Sequence, residues 1–104
     1  MEVLLIHKMI GLVPPEMMAA SLEIAEKVTT KPGELVPGGK LIASYSARAI
    51  HTGVCLWEVP SMEALMPMCE QMSMLGWDTD MIPVEKMEVA LPKLKRSLQA
   101  MQGK

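Results

Sequence analysis

The sequence predicts a single α+β domain, residues 1–104, built on a four-stranded antiparallel sheet. Segments rich in β-formers alternate with helix-patterned segments in the order β-α-β-β-α-β, and Pro-Pro, Pro-Gly and lone Gly signals fall at the junctions. A chain of 104 residues has room for one hydrophobic core and not for a second.

Residues 3–10 form a short apolar run interrupted by His7 and Lys8 and ended by Gly11, a first strand. Its alternate positions, Val3, Leu5, His7 and Met9 against Leu4, Ile6, Lys8 and Ile10, are mostly apolar on both faces. A sheet wetted on one side does not tolerate that pattern, so a second subunit or a large ligand is expected on the far face. Pro14-Pro15-Glu16 opens a helix where proline costs least, with Met17, Met18, Ser21, Leu22, Ile24, Ala25 and Val28 on one side. Residues 29–39 carry Pro32-Gly33 and Pro37-Gly38 and read as a surface loop long enough to act as a flap.

Residues 40–48 and 50–59 are β-rich and adjacent, a hairpin with its turn or bulge near residues 48–52. Ser61 is placed to cap a second helix whose apolar side holds Met62, Leu65, Met66, Met68, Cys69, Met72 and Leu75. Pro67 within it predicts a kink or a late start, since an interior proline costs roughly 3 kcal/mol. Residues 81–90 are expected as the fourth strand, and Pro92 as the start of a short basic helix carrying Leu94, Leu98 and Met101. Right-handed crossovers then place both longer helices on one face of the sheet, the ferredoxin-like arrangement.

Composition removes several function classes. Twelve acidic residues against ten basic ones give a net charge of −2, and no basic run is interleaved with aromatics, so nucleic acid is not an expected partner. The opening Met1-Glu2-Val3 has an acid where a signal peptide is basic, and its apolar run is too short for a bilayer, so neither membrane insertion nor export is expected and the location reads as cytoplasmic. Cys55 and Cys69 form no Cys-x-x-Cys pattern and read as reduced, buried thiols. No phosphate-cradling glycine loop, nucleophile elbow or metal-ligand cluster is present, and no cofactor is implied. Half the residues are apolar, more than a monomer of this size hides easily, and the excess points to a homodimer or higher homo-oligomer. Twelve methionines stand beside one tyrosine, two tryptophans and no phenylalanine, so thioether has replaced aromatic filling. Such walls adapt to different shapes, which suits a cavity, an interface or a plain core.

The hairpin Ser44-Tyr45-Ser46-Ala47-Arg48-Ala49-Ile50 through Cys55-Leu56-Trp57-Glu58-Val59, with Met81-Ile82-Pro83-Val84, resembles a small family of the dimeric α+β barrel superfamily. Relatives by fold include muconolactone isomerase, small cofactor-free monooxygenases, haem-degrading monooxygenases and stress-responsive barrel proteins. The resemblance implies two sheets packed face to face across a two-fold axis, with a cavity in each subunit between sheet and helices or near the barrel mouth. The residues that carry it are structural, so no catalytic motif transfers with it.

The residues themselves nominate His7 as a catalytic base, because an imidazole inside an apolar strand has to be hydrogen-bonded and titrates near neutral pH. A satisfied core or interface histidine is the plainer reading of the same position. Glu58 and Glu85 lie on the strands expected to flank strand one, and either carboxylate would complete a proton shuttle with His7. Outward, solvated carboxylates fit the same positions. Tyr45, Trp57, Met9 and Cys55 are the candidate walls of a ligand site, Tyr45 and Trp57 offering flat surfaces and hydrogen-bond donors. His51 and Cys55, four apart, share a strand face and with nearby methionines would suit a soft metal such as Cu(I). Met62, Met66, Met68 and Met72 follow the apolar side of their helix and need only core packing. Lys93, Lys95 and Arg96 fit an anionic surface or, more simply, a terminal helix that docks on a partner.

The expected function is therefore a dimeric barrel that binds a small apolar organic molecule, with isomerisation or cofactor-free oxygenation as its chemistry if it is an enzyme. The alternatives are a non-enzymatic oligomeric interaction protein and a copper- or haem-binding protein.

Overall fold

The computed structural model describes residues 1–103. Strand β1 (Glu2–Met9) is followed by helix α1 (Pro15–Thr30), the single turn α2 (Pro32–Leu35), strands β2 (Lys40–Ala47) and β3 (Thr52–Glu58), helix α3 (Met66–Met74), strand β4 (Trp77–Val84) and helix α4 (Met87–Gln102). The four strands form one sheet in the order β2-β3-β1-β4, with every neighbouring pair antiparallel.

Burial along β1 alternates strictly from Val3 to His7, and this sorts the sheet into two faces. Val3, Leu5 and His7 point to the helices, and cross-strand register puts Trp57, Cys55 and Gly53 of β3 and Pro83, Met81 and Thr79 of β4 on the same side. Val28 of α1 and Met68 and Cys69 of α3 complete one core with them, so both helices cover the same face. At roughly 1.5–3 kcal/mol for each fully buried large apolar side chain, Leu5, Trp57, Leu65 and Met68 are the main anchors of this layer.

Three segments differ from the sequence expectation. Residues 29–39 are not a loose flap: α1 runs to Thr30, α2 follows at once, and Val36 is fully buried in the core. Pro32-Gly33 opens α2 and Pro37-Gly38 makes a turn, while Leu35 and Val36 between them supply the apolar anchor. The fourth strand spans residues 77–84 rather than 81–90. Asp78 and Asp80 are exposed while Trp77, Thr79 and Met81 between them are half-buried, a period-two alternation that the acidic residues disguise. Residues 87–90 belong instead to α4, which carries Pro92 in its interior rather than at its start. Pro67 acts as expected: a 3-10 turn over Met62–Leu65 precedes it, and the α-helix starts late, with the proline in its first turn. Ser61 stands at the N-cap of that turn without a side-chain cap bond.

Gly76 follows α3 at φ +90, a conformation that favours glycine, and a Cβ there would also crowd a Val13 methyl at 3.1 Å. Helix α4 stands apart from the rest. None of its residues is buried, and the radius of gyration is 16.7 Å, against about 13 Å for a compact chain of this length.

Candidate functional site

A cavity of about 440 Å³ lies between the sheet and helices α1 and α3, at the end of the sheet away from Trp57. Its floor is the helix-facing side of β1, β3 and β2, through His7, Met9, Cys55, Gly53 and Ser44. Its roof is α1, through Met18, Leu22, Ala25 and Val28, with Met68 and Met72 of α3 and Trp77 of β4 closing the inner wall. The space exists because the β strands carry little bulk here. Gly53 lies opposite His7, Ser46 opposite Gly53 and Ser44 opposite Cys55, whereas at the other end Val3, Trp57 and Leu41 stand side by side.

His7 is 7% exposed and lines this cavity. Its Nδ1 is 2.8 Å from Thr79 Oγ1 on the neighbouring strand, and no hydrogen bond to protein engages its Nε2 among the described residues. Burial pushes its pKa below the ordinary 6.5, so the imidazole is neutral at pH 7. A proton on Nδ1 donated to Thr79 leaves a lone pair at Nε2, and the opposite tautomer leaves an N–H donor there. Either way His7 presents a single polar atom inside a largely apolar space.

Two further polar pairs brace the walls. The Trp77 indole N–H donates to Ser21 Oγ at 2.9 Å, and Ser21 in turn donates to the Met17 carbonyl at 2.8 Å. Cys55 Sγ lies 3.5 Å from Ser44 Oγ, and burial pushes its thiol pKa up, with that hydrogen bond opposing. Cys55 is thus held as the thiol and not as the reactive thiolate.

The proposed His-Glu shuttle is not assembled. Glu58 pairs with Glu2, five residues along β1 from His7 or about 17 Å at the usual strand rise, and it points to the other face. Glu85 lies beyond the end of β4, exposed, with its carboxylate accepting a 2.8 Å bond from Lys93 Nζ. The side chain that does reach His7 is Thr79, which the sequence reading passed over because it sits in the acidic stretch before residue 81.

Trp57 also differs from expectation. It is fully buried in the solid end of the core, away from the cavity, with no partner for its indole N–H among the described residues. Met9 and Cys55 do line the cavity, and Tyr45 borders its mouth on edge strand β2, 72% exposed. Trp77 takes the aromatic wall position that Trp57 was expected to fill.

His51 stands at the mouth in the left-handed region (φ 48), its carbonyl accepting the Met9 N–H at 3.2 Å. Although His7, His51 and Cys55 all line the cavity, no group of three or more His, Cys, Asp or Glu suited to a metal ion occurs among the described residues. No described helix is long and apolar enough to cross a membrane. Comparison with protein-family models and with curated proteins finds no match.

Proposed function

We propose that this protein binds a small, largely apolar organic molecule in the cavity under α1, on a ferredoxin-like subunit of a dimeric α+β barrel. The observation that carries this reading is the cavity itself. Its size lies within the roughly 300–1,000 Å³ of small-molecule sites, and methionine and aliphatic side chains make up much of its wall around the neutral His7 imidazole, with Ser44, Ser46, Arg48 and His51 also in the lining. Where chemistry follows binding, His7 Nε2 is the group that takes a proton from the ligand, the opening step of an isomerisation or of a cofactor-free oxygenation. Thr79 fixes the ring, and Met9, Met68 and Met72 are among the apolar side chains that line the space beside it.

The test is fluorescence titration with the neutral probe N-phenyl-1-naphthylamine. Saturable binding with micromolar affinity, weakened at least tenfold by filling the cavity through Gly53→Leu, is expected. A probe that does not bind, or binds both proteins alike, refutes the assignment of the cavity.

A second observation favours self-association. The outer face of the sheet carries an apolar stripe of Leu4, Ile6, Val54, Leu56 and Ile82 that no described element covers, and α4 carries Met87, Leu91, Leu94, Leu98 and Met101 at alternating spacings of four and three, all exposed. The groove where α4 leaves the sheet combines Ile42, Pro83 and Val84 with Glu2, Glu58, Glu85 and Lys86; Lys93 of α4 already pairs with Glu85 of its own chain, which leaves Lys95 and Arg96 of α4 to meet Glu2 and Glu58 of another. Apolar surface and charge are both matched between them, so a second copy of the chain is the occupant this surface fits. Sedimentation of the wild type as a dimer and of Leu94→Glu/Leu98→Glu as a monomer is the expected result; a monomeric wild type at micromolar concentration refutes it.

A further inference from the structure

The charge inventory of the cavity is one-sided. The chain contains 12 acidic residues, yet no Asp or Glu lines this space. The ionisable groups that do are His7 deep inside, Arg48 and His51 at the mouth, and the weakly acidic Cys55 and Tyr45. Arg48 sits in the 3-10 turn between β2 and β3 and is in no ion pair among the described residues, where Lys8–Asp80 and Lys93–Glu85 are the pairs formed. The acids nearest along α1, Glu23 and Glu26, are on its exposed side and outside the lining. Ser46 and Arg48, both exposed, thus border a space that Met9, Met18, Met68 and Met72 also line.

We propose that the ligand is an amphiphilic organic anion, apolar over most of its length, with a carboxylate or similar oxyanion held at the mouth by Arg48. This rests on the cavity being the binding site and adds the class of compound it takes. A guanidinium offers a forked pair of donors matched to a carboxylate, and a wall without acids puts no repulsion in the way of an anion. A cationic amphiphile of equal length meets the same apolar depth but finds Arg48 opposing it. The unbranched, polarizable methionines accommodate chains of differing shape, so selectivity is expected to lie in the head group more than in the tail.

Displacement of N-phenyl-1-naphthylamine by decanoate, 1-decanol and decylammonium, each below its micelle concentration at pH 8, separates the two claims. The expected order is decanoate, then decanol, then decylammonium, with at least a tenfold gap between the first and the last. Arg48→Gln should shrink the decanoate-to-decanol ratio at least fivefold while leaving decanol unchanged. Because Arg48 is exposed, 0.5 M salt should narrow the same gap in the wild type. Equal displacement by all three compounds, or an unchanged ratio in Arg48→Gln, overturns the anion assignment and leaves the cavity standing. Failure of the probe to bind at all overturns both.

Discussion

The helix-facing side of the sheet is one surface with two unlike ends. At one end Val3, Leu5 and Trp57 pack against Leu65 and Met68 with no exposure to speak of. At the other, further along the sheet, His7, Met9, Gly53, Ser44 and Ser46 leave a cavity of about 440 Å³. The same strands run through both ends, with a register shift in β2 between Leu41 and Ala43, and the side chains that β2 and β3 place at the open end are smaller. A solid core holds the fold rigid at one end, and small residues at the other leave a space whose shape that rigidity preserves. The two ends should therefore respond oppositely to substitution.

The largest effect is expected at the solid end. Leu65→Ala should lose about 2–5 kcal/mol, the range for a large-to-small change in a packed core, read as a lowered midpoint in urea unfolding. Met18→Ala, in the wall of the existing cavity and only half-buried, should lose under about 1 kcal/mol; an equal loss at both sites would erase the distinction between the ends.

Filling the cavity sharpens the comparison further. A Cβ at Gly53 meets nothing closer than the Tyr45 carbonyl at 4.0 Å, so Gly53→Val should raise stability by about 0.5–1 kcal/mol through strand propensity. The same change should weaken probe binding. A destabilised Gly53→Val protein would mean that this end is already packed.

His7 supplies a pH test of similar or smaller size. Its folded pKa lies below the ordinary 6.5, so the unfolded chain binds more protons as pH falls through that window. Its contribution is complete above pH 6.5 and is lost as pH drops through the folded pKa. Wild-type stability should therefore decline between pH 7 and pH 5 relative to His7→Gln, measured by urea unfolding. Parallel pH profiles for the two proteins would place the imidazole in water instead of in the wall.

The smallest effect is expected at the mouth. His51 holds φ 48 without glycine's freedom, and His51→Gly should gain a few tenths to about 1 kcal/mol by relieving that strain. A loss would mean that the His51 side chain contributes contacts worth more than the strain.

Local chemistry made much of this architecture readable. The alternation Val3, Leu5, His7 against Leu4, Ile6, Lys8, the proline at the head of α1 and the late start forced by Pro67 all follow from rules that act within a few residues. His7 stands out in the sequence as a polar side chain on an apolar strand, and it, Met9 and Cys55 all line the cavity. Other features depend on partners distant in the chain. Thr79 reaches His7 across 72 residues, and only the pairing of β1 with β4 gives that hydroxyl its role. Glu58 and Glu85 looked equally close to His7 by strand order, but register and facing, set by which residues the core accepts, send them to the other side and beyond the strand end. Arg48 became significant only when the fold gathered a wall around it that contains no carboxylate. Periodicity and turn chemistry are properties of neighbours along the chain, and they mark out the elements. Which side chains share a cavity is decided by strand register and by volume left unfilled, and both exist only once distant segments have packed together.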